Sequence, residues 1–218
     1  MKKMDALDPA TMTGLLREGV LAIRPEHIGL TTATCPSVWG VMMELADADV
    51  VVSLVALVDG SVSIYLSDGS GVIGCGLHPD VRAVAAKMLH VAAQVVDQCQ
   101  PTERCLTPTH HQVRFHLLTI NGLFSGVANR AELDEGAEAL AELYYAAHGV
   151  IGMVELLGAG VDLVDEMRLA QTTAQHDGGI DLVSHITTSR VDEPEFKARG
   201  RGCRILPYVG AVARRSRS

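Results

Sequence analysis

Gly69-Ser70-Gly71-Val72-Ile73-Gly74 has the spacing GxGxxG and is followed by Gly76. In a dinucleotide-binding fold such glycines let the backbone approach a pyrophosphate held at a helix N-terminus. Here Pro79 places the helix start several residues later, and the preceding strand belongs to a hairpin, not to a parallel βαβ unit. Asp97, at ribose-contact distance in sequence, falls in a helix. A glycine-rich turn against which another backbone packs closely accounts for the same residues. A narrower reading keeps Gly69, Ser70, Gly71 and Gly74 as a small nest for a phosphate or nucleotide, beside the helix that Pro79 opens. Asp68 and Asp80 would oppose an anion there.

Thiols and imidazoles form the second constellation. The five cysteines are Cys35, Cys75, Cys99, Cys105 and Cys203, none in a CxxC pair, which suits reduced thiols. Cys75 and His78 have a ligand-like CxxH spacing, with His110 and His111 as further candidates. A zinc site wants four such ligands, and no second tight pair completes the set. Buried thiols, a histidine at a helix start and a solvated loop explain these residues equally well. Cys99 or Cys105 beside a loop histidine would make a nucleophile for a thiol-dependent hydrolase. No nucleophile-elbow string accompanies them, GxSxG is absent, and Asp97 and Glu103 read as surface charge. No catalytic residue, no metal and no cofactor is therefore expected.

The elements that would carry these residues can be read in order. Asp8-Pro9 caps a helix of about 14 residues with Leu15, Leu16, Val20 and Ile23 on one face, weakened by Gly14 and Gly19. Cys35-Pro36-Ser37 opens a second helix by the same logic, with Val38, Val41, Met42 and Leu45 as its stripe. Val50–Val58, interrupted only by Ser53, is a buried strand. Asp59-Gly60 signals a type I′ turn, and Ser61–Ser67 returns in clean alternation. Val72-Ile73 is a short third strand. His78-Pro79-Asp80 starts the clearest helix, with Val81, Val84, Met88, Val91 and Val95 inward. Val113–Ile120 and Leu123–Ala128 pair about a second type I′ signal, Asn121-Gly122. Asn129 caps a long helix whose seam is Leu133, Ala137, Leu140, Tyr144, Ala147, Ile151 and Val154. A second stripe, Leu143, Val150, Met153 and Leu157, needs another partner, either an internal helix at Val161–Gln175 or a second subunit. Leu140, Leu143, Tyr144 and Ile151 are accordingly expected at a homodimer interface.

The chain organises as an N-terminal helical segment over 1–30, an α/β core over 31–157, a helix and weak strand over 158–190, and a basic tail without order over 191–218. Residues 1–150 carry 9 basic and 17 acidic side chains, and seven arginines and lysines follow Glu195 without an acid. An acidic body argues against nucleic acid as its partner, whereas the tail suits an anionic surface. Mean hydropathy is +0.21, yet no run reaches the ~18 apolar residues of a membrane span. The first residues carry no secretory pattern, so a cytoplasmic location is expected.

Hairpins enforce antiparallel pairing, and amphipathic helices must cover the sheet, giving an α+β class with about five strands and flanking helices. Over about Pro36–Leu157 this order resembles the roadblock/LC7 and profilin-like group. A third strand before the middle helix departs from the roadblock order, which has two before it and three after. The strings VDGSVSIYLSDGSGVIGCG and VRFHLLTINGLFSG also resemble those of an uncharacterised bacterial family, a similarity that implies no activity. The roadblock resemblance implies a non-enzymatic adaptor or regulatory module, homodimeric, with a small GTPase or a motor-type complex as the class of protein partner. Two alternatives stand beside it: an enzyme or sensor binding a small phosphate-bearing ligand at 68–76, and a zinc- or thiol-dependent hydrolase.

Overall fold

A computed structural model describes residues 8–47 and 49–157 and the strand at Arg204–Leu206. Helix α1 (Pro9–Leu21) begins as its cap dictates, with the Asp8 carboxylate accepting the Thr11 N–H at 3.1 Å. Four strands follow: β1 (Val38–Asp47), β2 (Val50–Leu57), β3 (Val62–Leu66) and β4 (Gly71–Ile73). Helix α2 (Pro79–Val95) leads to a two-residue β5 (Gln100–Pro101), then to the hairpin of β6 (Gln112–Thr119) and β7 (Gly122–Asn129). Short α3 (Arg130–Asp134) and α4 (Ala141–Leu156) come next, and β8 is Arg204–Leu206. The strands form one antiparallel sheet in the order β5-β7-β6-β1-β2-β3-β4-β8.

The α+β class and the flanking helices stand as expected, but the sheet is wider than five strands. Seven of its strands lie within 38–129 and an eighth comes from the basic tail. Three residues of the segment expected to lack order, Arg204–Leu206, thus pair with the outer edge of β4. The rest of 158–218, including Val161–Gln175 and Ile180–Thr188, lies outside the described residues.

Residues 38–47 form a strand and not the expected helix. β1 is the central strand, buried on both faces over nearly its whole length, so its apolar residues do not alternate with polar ones. A β-bulge between Val38 and Gly40 places Trp39 on the same side as Met42. That broken period imitates a helical stripe. Gly40 is required because Leu118 and Leu57 close over it, leaving an added Cβ 2.5 and 2.7 Å from their methyl groups.

Both faces of the sheet are covered. On one, Val41, Met43, Leu45, Leu54, Ile64, Phe115 and Leu117 are sealed beneath α2, which packs on β1–β3 and alongside α4. The buried stripe of α2 is Val81, Ala85, Met88, Ala92 and Val95, with Leu89. On the other face α1 and the connector to β1 lie over Trp39, Met42, Val55, Leu57, Tyr65 and Leu118. The turns at Asp59-Gly60, Asp68-Gly69 and Asn121-Gly122 place only the glycine at positive φ (90°, 98° and 111°). They are not type I′ turns, which need two such residues. The Asn129 helix also stops at Asp134, because Gly136 takes φ 69° before α4 resumes the expected seam.

Gly76 has the tightest backbone approach among the described glycines, an added Cβ falling 1.7 Å from the Gly60 carbonyl oxygen. Gly149, by contrast, faces open space inside α4. Gly76→Ala is expected to destabilise by about 2 kcal/mol or more, since backbone must move. Gly149→Ala is expected to stabilise by about 0.5–1 kcal/mol through helix propensity. Chemical denaturation of both variants checks the pair.

Candidate functional site

Strand register places the polar residues of the α1 side in rows. One row runs Gly71, Tyr65, Ser53, Glu44, Arg114, Val127 across β4, β3, β2, β1, β6 and β7. The next runs Ile73, Ser63, Val55, Met42, His116, Ser125. Glu44 and His116 are completely buried, and Ser53 nearly so.

Arg17 reaches down from α1 into these rows. Its Nε donates to Glu44 Oε1 at 2.7 Å and its Nη2 to Oε2 at 2.8 Å, a bidentate fork, and Nη2 also donates to the Leu106 carbonyl at 3.2 Å. Ser53 Oγ donates to Glu44 Oε1 at 3.3 Å. His116 Nε2 stands 3.3 Å from Glu44 Oε2 but off the hydrogen-bonding line, so neither ring nitrogen completes a hydrogen bond among the described residues. Arg114 donates from Nη1 to Ser125 Oγ at 3.3 Å, while its buried Nε has no partner among them. The Tyr65 hydroxyl and the Trp39 indole N–H are likewise buried without one among the described residues.

The electrostatics follow from this geometry. Burial pushes the Glu44 carboxyl up, but the Arg17 fork and the neighbouring His116 outweigh it and hold the group below the usual carboxylate range. The same pairing raises Arg17. Burial and the nearby Glu44 charge push the Tyr65 phenol well up, so it stays neutral. The cluster is thus an anion clamped by a cation in a sealed layer. It can hold α1 to the sheet, and no substrate reaches it while α1 is docked.

The expected site residues are distributed elsewhere. Gly69, Ser70, Gly71 and Gly74 lie on the turn and strand before a short 3₁₀ turn at Cys75–Leu77, so the motif does not open α2. Gly71 and Gly76 serve close backbone packing, an added Cβ on Gly71 meeting the Ile64 carbonyl at 2.5 Å. The nest is occupied by the chain's own acid: Asp68 Oδ1 accepts Ser70 N–H at 2.8 Å and Ser70 Oγ–H at 2.7 Å. Arg82 Nε donates to the Gly76 carbonyl at 3.0 Å, tying the loop to α2. Cys75 is buried, His78 is half-buried near Asp80, and His110 and His111 stack on each other at 3.7 Å. No group of three or more His, Cys, Asp or Glu among the described residues is placed to hold a metal ion. Burial pushes the Cys99 thiol up to about 11, the reverse of what a nucleophile needs.

Leu140, Leu143, Tyr144 and Ile151, expected at an interface between copies, are buried inside the chain, where α4 packs against α2. Nearby, Tyr144 donates to Asp134 Oδ1 at 3.0 Å and meets the His148 ring edge-on at 4.3 Å. Burial, aided by Arg130, pushes His148 down to about 4, so it is neutral at pH 7.

A groove of about 610 Å³ opens beside the α1 end of the polar rows. It is lined by Leu21–Glu26, Thr32 and Cys35 on one side and by Trp39, Leu118–Ile120, Gly122 and Leu123 on the other. Comparison with protein-family models, curated proteins and solved structures finds no match. No helix among the described residues is long and apolar enough to cross a membrane.

Sequence reasoning missed Glu44, Arg17, His116, Arg114 and Tyr65 as a group. The available signals were an acid within the apolar run Val41–Ala46, Ser53 within Val50–Val58, and Arg114 and His116 on one side of β6.

A depressed carboxylate stabilises the fold above its unfolded pKa of about 4.3 and loses that contribution as pH falls through its folded value. Arg17→Ala is expected to cost about 3 kcal/mol at pH 7, since it strands a buried charge. The cost should shrink as pH falls below the ordinary carboxylate range of about 4.3 and toward the depressed folded value of Glu44, where the group becomes neutral in both proteins. Urea denaturation at neutral pH and in that acid range checks this. An unchanged cost would mean that Arg17 holds α1 by packing alone.

Proposed function

We propose that this chain is a non-enzymatic adaptor that grips a segment of a partner protein in the groove between the α1–β1 connector and the β6–β7 hairpin. The observation that carries the reading is the groove itself. Its floor is apolar, from Trp39 and Leu118, and its mouth has Arg24 and Glu26 on one lip and the exposed Ile120 on the other. An apolar floor with a few placed polar groups is the usual form of a recognition site. The titratable residues at the centre of the molecule serve to hold α1 against the sheet, which supports binding over reaction chemistry.

The resemblance to roadblock/LC7 domains supplies a small GTPase as the partner class to test. Homodimerisation belongs to the same proposal, now on the exposed side of α4 formed by Tyr145, Gly149, Gly152 and Leu156 in place of the four buried residues.

A photo-crosslinking residue at Ile120 is expected to trap a discrete protein adduct in native lysate, while the same residue at Leu156 does not trap that adduct. Leu123→Asp should abolish the adduct. Equal labelling at both positions, or none at Ile120, would remove the groove as the binding site. Light scattering at micromolar concentration is expected to give the mass of two chains, and a strict monomer of 23.2 kDa removes the dimer.

A further inference from the structure

We infer that the sheet face beneath α1 is itself a docking surface for an amphipathic helix of a partner protein, and that α1 is its resident placeholder. The inference rests on the adaptor reading and extends its groove. Trp39, Leu118 and Leu123 line the groove and also belong to the apolar layer that receives Leu16, Val20 and Leu21 of α1. Lifting α1 would therefore join the open groove to the polar rows as one trough.

Three observations mark α1 as an imperfect occupant. First, polar atoms buried on this face have no hydrogen bond among the described residues: Tyr65 Oη, Arg114 Nε and Nδ1 of His116, whose Nε2 faces Glu44 at 3.3 Å. Buried groups in this state carry a desolvation cost that a better-matched occupant would relieve. Second, among the described residues Arg17 is the only α1 side chain hydrogen-bonded across to the sheet and the loop beside it. Thr13, one turn earlier and 4% exposed, returns its hydroxyl to the Ala10 carbonyl of its own helix. Third, the helix is weak in itself. It has 13 residues, two interior glycines, no acid in its first turn and no base in its last.

Charge complementarity names the ligand. Glu44 demands a buried base and accepts it bidentately, which selects arginine over lysine. Arg114 Nε and Tyr65 Oη ask for an acceptor. The fitting partner is an amphipathic helix with leucine before an arginine, apolar residues three and four positions after it, and Gln, Asn, Asp or Glu one turn before it. A buried ion pair adds little stability over apolar packing and is best attested as a device for register and switching. That is its role here: it admits only helices that bring the arginine to Glu44.

The test uses the full chain and a fluorescent peptide of residues 8–24. Anisotropy is expected to show at least tenfold tighter binding of this peptide to Arg17→Ala protein than to the unaltered protein. The peptide carrying Thr13→Gln should bind tighter again, and the peptide carrying Arg17→Ala should not bind. Hydrogen exchange should rise over 9–21 in the variant while β1 and β6 stay protected, which shows that the sheet is intact. Arg17→Met, which keeps the aliphatic stem, serves if Arg17→Ala does not fold. No peptide binding by either variant, or unchanged protection over 9–21, overturns the proposal. Exchange of α1 from unaltered chains onto Arg17→Ala chains when the two are mixed, read as protection of the variant's sheet face without peptide, also overturns it, because the occupant is then a second copy. Peptide binding with no adduct at Ile120 would overturn the groove reading alone, and the reverse result this inference alone.

Discussion

A single buried carboxylate, Glu44 at the middle of the central strand, sets the terms for one whole face of this protein. Removing a carboxylate from water costs several kcal/mol unless a base and further hydrogen bonds answer it. In this fold the answer comes from Arg17, 27 residues earlier in the chain, through a two-pronged contact of 2.7 and 2.8 Å. The position of α1 is thus chosen by charge as well as by the Leu16, Val20 and Leu21 contacts. The opposite face has no such constraint. There Phe115, Met43, Leu45, Leu54 and Ile64 meet the buried stripes of α2 and α4, and shape alone decides the fit.

The glycine-rich segment illustrates how a motif of chemical appearance can be required by packing. Gly76 admits the Gly60 carbonyl, Gly71 admits β3, and Gly69 and Gly74 take positive φ at two successive bends. Each is a place where a side chain would clash or strain the backbone. Asp68 Oδ1 accepts both the Ser70 N–H and the Ser70 hydroxyl, so these two donors of the turn are already paired within it. The first and last glycines of a GxGxxG spacing recur here because a very short strand enters and leaves the sheet within a few residues.

Much of the fold was legible in the sequence. α1, β2, β3, β6, β7 and α2 lie where periodicity and turn residues put them, and of the expected seam Leu133, Leu140, Tyr144, Ala147, Ile151 and Val154 are buried, whereas Ala137, in the break between α3 and α4, is exposed. Local signals sufficed because each of these elements has one covered face or a strong cap. β1 was not legible. A strand buried on both faces loses its two-residue period, and the Trp39 bulge added a false helical spacing. The candidate site was not legible either, for a related reason. Its members are 17, 44, 53, 65, 114 and 116: the register of β1 with β2 and β6 and of β2 with β3 brings the last five into adjacent rows, and the docking of α1 adds Arg17. Sequence spacing carries no information about which residues face each other across strands. The second α4 stripe was visible, but its partner was not: α2 lies closer to hand than any second copy.

The two faces consequently differ in how exchangeable their covers are. α2 and α4 are long, pack on each other, and bury apolar side chains along their lengths. Displacing either would expose that surface with no compensating polar contact. α1 is shorter, rests on a few apolar residues and one ion pair, and covers polar atoms that it does not satisfy. What that contact needs is one arginine in the right register beside a modest apolar strip. Local stability in proteins is lowest where few apolar contacts hold an element, and such elements are the ones that binding partners can replace. The open groove at the end of α1 lies where that weak cover gives way to Trp39 and Leu118. The two covers thus differ in kind: α1 is tied down by the base it brings to a buried acid of β1, whereas α2 and α4 are held by apolar packing.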